Sequence, residues 1–297
     1  MRTSWGQAAV GFSILVSMWF FVQLFAHKSG ANSLLQLQGW TLPVAAQNTE
    51  FAPTKSLSSL PQSFVYEANK KYIFLTWDDS PQMPGTEICN RIFLENEVKA
   101  TFFSVGQHYE IAPSRSSLID SMQKQYPKTL ILNHGYSHAF GDKYETFYTS
   151  LDSAVRDFQQ AEQVMKTPFK MLRLPGRNAW YCRGKYFGPK SSQELGKKLG
   201  SLGYQILGWD VEWQFSKGSI PKQSAQEMLV EIRKKFAEKT TYAPNMLVLL
   251  AHDRMFAEPS HSASLRELLR LLKAEGYLFE TLDHYPAVQI GQDWVLK

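Results

Sequence analysis

An apolar run over residues 72–77 ends in two adjacent carboxylates, Asp78 and Asp79, and Ser80 and Pro81 follow them. A run of this composition is typical of a buried strand, and a proline helps to end one. Two like charges held side by side are unfavourable unless a partner uses them. A divalent cation can take one carboxylate and leave the other free as a base. This pair is therefore the first candidate for catalysis.

Two histidines four residues apart, His134 and His138, follow the apolar run 130–132. They can face the same way if the loop between them turns helical. Two imidazoles and one carboxylate make a ligand set that leaves coordination positions open for water and substrate. Asp79 is the natural third ligand, so these residues predict a metal site. The alternative is that two of the seven histidines are neighbours by chance.

Further polar residues follow two other apolar runs. His252 follows the run 246–251, and an imidazole suits protonation of a leaving amine or alkoxide near neutral pH. Arg173 ends another run and could fix a carboxylate by a bidentate pair. Gly176 lets the backbone approach a ligand and can present its N–H to a developing oxyanion. The structural alternatives are a hydrogen-bonded histidine at a strand edge, a salt bridge and an ordinary turn.

Acids and tryptophans alternate at Trp209, Asp210, Glu212 and Trp213. Acids flanked by indoles at a strand end could line a sugar subsite, because indole faces pack on the CH groups of pyranose rings. The alternative is a pair of half-buried core tryptophans. Both interpretations stay open at this point.

Strand-like and helix-like segments alternate after residue 70. The apolar, β-rich runs cover residues 71–77, 100–105, 129–133, 170–174, 204–209, 246–251 and 277–281. Capping boxes are predicted at Ser191 with Glu194, Ser224 with Glu227 and Ser264 with Glu267, and an amphipathic helix at 266–272 before Gly276. The alternation predicts an α/β fold with a parallel sheet, and its seven units predict a closed or nearly closed barrel. In such barrels chemistry gathers where the strands end, which is where the candidate residues lie.

The N-terminal segment differs from the rest of the chain. Residues 8–26 are almost wholly apolar and uncharged, close to the length of a bilayer-spanning helix and long for a signal-peptide core. We therefore expect an uncleaved membrane anchor over residues 1–27, with a cleaved signal as the alternative. Arg2 before the span and Lys28 after it mildly favour a catalytic domain outside the cytoplasm, periplasmic or extracellular. The expected organisation continues with a linker over 28–69, a catalytic domain over 70–284 and a tail over 285–297.

The net charge and the two cysteines say little more about the function. The net charge of +5 is scattered, without a long Lys/Arg run and interleaved aromatics, so we expect no nucleic-acid partner. Cys89 and Cys182 lack metal-type spacing, and an oxidising compartment would permit a disulfide between them.

These motifs, in this order, resemble the polysaccharide deacetylases of the NodB-homology group, carbohydrate esterase family four. The similarity spans about residues 70–284 and rests on five segments: 76–81, His134 with His138, Arg173 with Pro175, Glu212-Trp213 or in another register Asp210, and 250–252. The sequence departs from the family pattern at Ser80, Gly135 and Gly176-Arg177. The resemblance implies a distorted (β/α)7 barrel and an acetylated polysaccharide of N-acetylglucosamine type as substrate. O-acetyl ester hydrolysis on xylan-like glycans and glycan binding without catalysis are the alternatives.

The same resemblance implies roles for the individual residues. Asp79, His134 and His138 would hold a divalent metal, zinc in the first place, with cobalt, nickel or manganese as alternatives. Asp78 would be the base and His252 the acid. The remaining roles are support and substrate contact: Arg173 positions Asp78, the Gly176 N–H meets the oxyanion, Leu250 packs on the acetyl methyl group, and Glu212, Asp210 and Trp213 lie near the sugar.

Overall fold

The structure is a computed structural model that describes residues 64–289. The expected anchor over residues 1–27 and most of the expected linker lie outside this range. Within the range itself, the helices are all too short or too polar to cross a bilayer.

Twelve strands and nine α-helices are present in the described part of the chain. The strands are β1 (Tyr72–Ser80), β2 (Ala100–Ser104), β3 (Thr129–Asn133), β4 (Met171–Leu172), β5 (Trp180–Cys182), β6 (Lys185–Phe187), β7 (Gln205–Ile206), β8 (Val211–Glu212), β9 (Phe215–Ser216), β10 (Ile220–Pro221), β11 (Met246–His252) and β12 (Leu278–Phe279). The helices are α1 (Gly85–Glu95), α2 (Gly106–Glu110), α3 (Pro113–Gln123), α4 (His138–Asp142), α5 (Tyr144–Thr149), α6 (Leu151–Met165), α7 (Gln193–Ser201), α8 (Ala225–Ala237) and α9 (Pro259–Ala274).

One curled sheet organises the fold, in the order β6-β5-β7-β4-β3-β2-β1-β11-β8, with β12 paired to the beginning of β1. From β7 to β8 in this order, each strand is parallel to the next, whereas β5 runs antiparallel to both β7 and β6 at one edge. The predicted α/β class is confirmed, and each of the seven predicted runs contains a strand. The predicted closed or nearly closed barrel is confirmed in part, because the sheet curls as a barrel does without closing. In the described residues no ladder joins β7 to β8, so the sheet is a mixed half-barrel.

The segment between β7 and β8 explains why the sheet stays open. The backbone N–H of Leu207 still donates to Leu172 of β4, at 2.9 Å, but that of Asp210 donates to Val248 of β11, at 2.8 Å. The Asp210 carboxylate also accepts from the backbone N–H groups of Tyr242 and Val248, at 2.7 and 2.8 Å. The chain thus leaves one side of the sheet and joins the other within a few residues. The hydrogen bonds of Asp210 hold this segment against the backbone near β11, so the role of Asp210 is structural.

Strand β1 is the centre of the core, and all nine of its residues are buried. Burial on both faces is expected for a parallel strand covered by other elements on each side. Ile73, Leu75 and Trp77 pack into one apolar cluster with residues of α1, α8 and α9, whereas Tyr72 and Phe74 pack into a second one on the opposite face. This packing fixes the register of β1, and with it the position of the carboxylates at its end.

The helix ends test three of the sequence signals. Ser224 caps α8 in a complete capping box with Glu227, as predicted. Ser264 lies inside α9, which begins earlier, at Pro259, because proline suits the first turn of a helix. Ser191 lies in a short 3-10 turn before α7, and no side chain caps that helix. The last two capping predictions are therefore wrong.

Both cysteines are free and buried. Cys89 lies under the turn after β11, with its thiol 3.9 Å from the carbonyl of Asp253, and the Cys182 thiol lies 3.6 Å from the carbonyl of Ile206. The described structure therefore contains no bond between them.

Candidate metal centre

The end of β1 places two adjacent carboxylates in one cavity. In a regular strand, neighbouring side chains point to opposite faces. Here the pairing of β1 with β2 shifts its register between Asp78 and Ser80, and Asp79 has a left-handed φ of 71°. This bulge turns both carboxylates toward the same cavity, where they meet His252, because Asp78 and His252 are register partners in the ladder of β1 with β11.

His134 follows β3 directly and is almost fully buried. Its Nδ1 lies 3.0 Å from the backbone carbonyl of Arg173, which can only accept, so Nδ1 carries the proton. Its Nε2 is then a free lone pair that faces Oδ1 of Asp79 at 3.6 Å. Burial, together with the neighbouring His138, lowers the pKa of His134 to about 3, so the imidazole is neutral and able to ligate a metal.

His138 is presented by a turn of left-handed helix. The residues of α4 all have positive φ values, from 48° at His138 to 68° at Gly141. Left-handed backbone costs about 1–2 kcal/mol for each residue other than glycine, so this turn is held by its surroundings. Asp157 anchors the loop before it by accepting from the backbone N–H groups of Tyr136 and Ser137. The loop between His134 and His138 is not itself helical, and the left-handed turn begins at His138, so the two rings are brought together by the loop and not by a helical spacing.

The left-handed turn orients the His138 ring so that one nitrogen faces Asp79 and the other faces Asp142. Its Nε2 lies 3.1 Å from Oδ1 of Asp79, and its Nδ1 lies 2.6 Å from the carboxylate of Asp142. Tyr144 donates to the same oxygen of Asp142, at 2.9 Å. A carboxylate behind a histidine fixes the tautomer and orientation of the ring in many metal sites. Burial acts to lower the pKa of His138, but contact with Asp79 and Asp142 outweighs it and raises the pKa.

Asp79, His134 and His138 form a cluster suited to a cation. One ligand atom from each lies within 4.8 Å of the others. Oδ1 of Asp79 is buried and has no hydrogen-bond partner among the described residues, although two imidazole nitrogens face it. Buried carboxylate oxygens are normally satisfied, so this one requires an explanation. A divalent cation between the three side chains would supply it, and the nitrogen and oxygen donors fit zinc.

Asp78 is held by a fully buried arginine. Nη1 of Arg173 donates to Oδ1 of Asp78 and to the hydroxyl of Thr76, both at 2.8 Å. The other guanidinium donors reach the carbonyls of Leu207 and Gly208, at 3.1 and 2.8 Å. The pair is therefore not the bidentate one that the sequence suggested, because only one guanidinium nitrogen meets the carboxylate. Burial raises the pKa of Asp78, and Arg173 opposes that rise.

His252 lies across the cavity from the two imidazoles. Its Nε2 is 3.8 Å from Oδ2 of Asp79, and its ring makes a T-shaped contact with the ring of Phe215, with centroids 4.9 Å apart. Burial lowers the pKa of His252, although the negative charges of Asp79 and Asp78 act in the opposite direction. Its Nδ1 has no hydrogen-bond partner within residues 64–289. Neither Asp210 nor Glu212 therefore orients this ring through a direct hydrogen bond.

The cavity has a volume of about 520 Å³ and collects most of the predicted site residues. Those that line it are Asp78, Asp79, His134, His138, Gly176, Glu212, Leu250 and His252. Gly176 has a left-handed φ of 63°, and a Cβ there would lie 2.7 Å from the Tyr144 ring, so only glycine fits this wall. Arg173 lies behind Asp78, outside the lining.

Two predicted substrate contacts lie elsewhere. Asp210 binds backbone at the sheet crossing, as described above. Trp213 is fully buried against Phe256, with ring centroids 5.1 Å apart, and its Nε1 donates to the carbonyl of Gln223 at 2.8 Å. Because Glu212 points into the cavity, the next residue along the chain points to the opposite face. Trp213 is thus a core residue, and Trp209 supplies the indole that lines the cavity.

Several lining residues were not predicted as part of the site. They are Gln82, Gln107, His108, Ser137, Gly141, Asp142, Tyr144, Phe215 and Arg254. Asp142 stands four residues after His138 and Arg254 two residues after His252, and this proximity was the one available signal. The others come from loops whose approach depends on the tertiary fold.

Known proteins of one class share this sequence pattern and this fold. The family model described as polysaccharide deacetylase matches residues 66–181, the segment that holds the Asp-Asp pair, both histidines and Arg173. The resemblance to polysaccharide deacetylases of the NodB-homology group is therefore confirmed. A comparison with curated proteins finds no match to the chain.

Solved structures of this class align over most of the chain. The catalytic domain of a peptidoglycan N-acetylglucosamine deacetylase from Eubacterium rectale aligns with a TM-score of 0.55 at 21% identity, covering 80% of this chain and 97% of its own. A CE4 esterase from Streptococcus mutans aligns with a TM-score of 0.53 at 21% identity, covering 77% of this chain and 91% of its own. The peptidoglycan deacetylase PdaC from Bacillus subtilis aligns with a TM-score of 0.51 at 18% identity, covering 75% of this chain and 93% of its own. At such identities the likeness establishes a shared fold.

Proposed function

We propose that the protein is a metal-dependent hydrolase that removes N-acetyl groups from a cell-envelope or extracellular polysaccharide of N-acetylglucosamine type. The observation that carries the proposal is the unsatisfied Oδ1 of Asp79, which faces two imidazole nitrogens beside a second, separately held carboxylate. The likeness to solved deacetylases of peptidoglycan supports the substrate class.

The ligand set would be Asp79, His134 and His138, with zinc as the first choice and cobalt, nickel or manganese as alternatives. A cation bound there lowers the pKa of water and polarises the acetyl carbonyl. Three protein ligands are the number found in catalytic zinc sites that keep a position open.

Asp78 is proposed as the general base. Arg173 holds its Oδ1, so Oδ2 is the oxygen turned toward the cation site, 3.6 Å from Nε2 of His134. The raised pKa of the buried carboxyl increases its affinity for the proton that it must take from the attacking water. The same arginine keeps Asp78 from swinging toward the cation as a fourth ligand.

His252 is proposed as the acid that protonates the leaving nitrogen. It faces the carboxylates from the neighbouring strand, β11, and its ring makes a T-shaped contact with the ring of Phe215. The Gly176 N–H would meet the developing oxyanion, and Leu250 would pack on the acetyl methyl group. Glu212 and Trp209 offer a polar and an aromatic contact for the sugar ring.

The reaction is tested by measuring acetate release from a panel of glycans with zinc-loaded protein. We expect release from N-acetylglucosamine oligomers, and none after a chelator removes the metal. Release from acetylated xylan alone would replace the amide assignment with O-acetyl ester hydrolysis. Binding of the oligomers without any release, in metal-replete protein, would contradict catalysis.

We also propose that the catalytic domain works outside the cytoplasm, tethered by residues 1–27. The apolar N-terminal segment supports this location, and the proposed envelope glycan substrate is consistent with it. Membrane fractionation followed by protease treatment of intact cells tests it. Resistance of the domain in intact cells but not in lysed ones would place it inside.

Asp142 should strengthen cation binding through His138. Asp142→Asn keeps the side-chain shape but removes the charge that holds Nδ1 of His138. Changing such an outer carboxylate costs about 10–100-fold in metal affinity, so we expect a loss of this size in calorimetric zinc titrations. Asp152→Asn is the matched control, because its ion pair with Lys198 lies outside the cavity. Equal affinities of the Asp142→Asn variant and the wild type would refute this role.

A further inference from the structure

The two oxygens of Asp79 face different groups. Oδ1 faces His138 and His134, the other candidate ligands, and makes no hydrogen bond. Oδ2 forms an ion pair with the guanidinium of Arg254 and lies 3.8 Å from Nε2 of His252. One oxygen is therefore left for a cation, and the other is already occupied by a cationic side chain.

Arg254 is held in place on several sides. It lies in a 3-10 turn, Asp253–Phe256, directly after β11. The buried Asp253 ties this turn to the hydroxyl of Thr86. The guanidinium lies over the ring of Phe215, 4.7 Å from its centroid. The side chain is one-third exposed, and it is the one arginine or lysine among the described residues that line the cavity.

We propose that Arg254 is a positioning residue for the cation site: it holds Oδ2 of Asp79, so the carboxylate offers the cation Oδ1 alone, and its charge weakens cation binding. The inference rests on the proposed function, because it requires a cation between Asp79 and the two histidines. A carboxylate that is free to turn can bind a cation through both oxygens. Restricting Asp79 to one oxygen leaves more of the coordination sphere for water and the acetyl oxygen.

The charge of Arg254 predicts the direction of the effect. A guanidinium in contact with Asp79 neutralises part of the charge that attracts a divalent cation, and it repels the cation at short range. Removing that charge should therefore tighten cation binding and, by freeing Oδ2 to ligate, slow the reaction. A side chain that merely stabilised the turn after β11 would give the opposite result, weaker binding.

The test is calorimetric titration of the full-length protein with zinc, together with acetate release by the loaded enzyme. We expect Arg254→Met to bind zinc at least about tenfold more tightly than the wild type while its kcat falls about tenfold. Arg254→Lys keeps the charge and should bind within about threefold of the wild type. Arg177→Met removes an equal charge from an arginine outside the lining, and screening should hold its affinity within about twofold.

The outcomes separate the two proposals. Unchanged or weaker zinc binding by Arg254→Met, with normal binding by the wild type, would overturn the role of Arg254 and leave the proposed function standing. Tighter binding by Arg177→Met to the same degree would also overturn it, because a long-range field would then explain the effect. If the wild type binds none of zinc, cobalt, nickel and manganese, both proposals fall.

Discussion

Asp78→Asn is expected to lower kcat for acetate release by about 10²–10⁴-fold while the affinity for zinc stays close to that of the wild type. Asparagine keeps the shape of the side chain and can still accept a hydrogen bond from Arg173, so the cavity wall is preserved. It cannot take a proton from water. The loss should therefore appear in kcat, with little change in the KM for the glycan.

The neighbouring aspartate provides the matched control. Asp79→Asn makes the same chemical change one residue along the chain, but it removes a proposed ligand. We expect that variant to lose zinc binding and activity together. Acetate release and zinc titration of both variants, measured side by side, separate the base from the ligand. Full activity of Asp78→Asn would exclude Asp78 as the base, and loss of zinc binding by that variant would show that Asp78 is a ligand.

Arg173→Met is expected to have the largest effect on stability. Arg173 is fully buried, and its guanidinium binds one carboxylate, one hydroxyl and two backbone carbonyls. Removing one partner of a buried ion pair leaves the other charge without compensation, which costs about 3–5 kcal/mol. The two carbonyls, from Leu207 and Gly208, also lose their donors at the point where the chain crosses from β7 to β8.

Urea denaturation of the wild type and the variant measures this cost as a change in the free energy of unfolding. Arg177→Met, four residues further along the chain, is the control. Its guanidinium donates to the adjacent Gly176 carbonyl and lies over the rings of Tyr144 and Tyr148, so a change within about 1 kcal/mol is expected. Where Arg173→Met remains folded, the pKa of Asp78 should rise further without its cationic partner, and activity should fall. A destabilisation below about 1 kcal/mol would show that Arg173 is not the anchor described here.

The sequence predicted the strands well because burial on both faces leaves long apolar runs, as in β1 and β11. It predicted a closed or nearly closed barrel, but not how far the sheet stays open. That outcome depends on the short strands β7 and β8 and on the hydrogen bonds of Asp210 to backbone that is 32 and 38 residues away. Pairings of two residues leave no period in the sequence, and a carboxylate that caps distant backbone looks like any other acid near a strand end.

The candidate site could be predicted where its residues end long strands. Asp78, His134 and His252 follow apolar runs, and parallel strands bring such ends together. Trp209 and Trp213 show the limit. They flank β8, and a strand of two residues is too short for the sequence to specify which of the two indoles faces the cavity. The left-handed turn at His138 and the approach of Arg254 to Asp79 arise from tertiary contacts, which no local pattern encodes.

The central claim is that one divalent cation binds between Asp79, His134 and His138 while Asp78 stays unligated. Anomalous diffraction at the zinc edge, from crystals of the protein soaked in zinc, tests it most directly. The account predicts one strong peak within ligand distance of Oδ1 of Asp79 and Nε2 of both histidines, with Asp78 still bonded to Arg173. The absence of a peak among these three side chains at full zinc saturation would contradict the account.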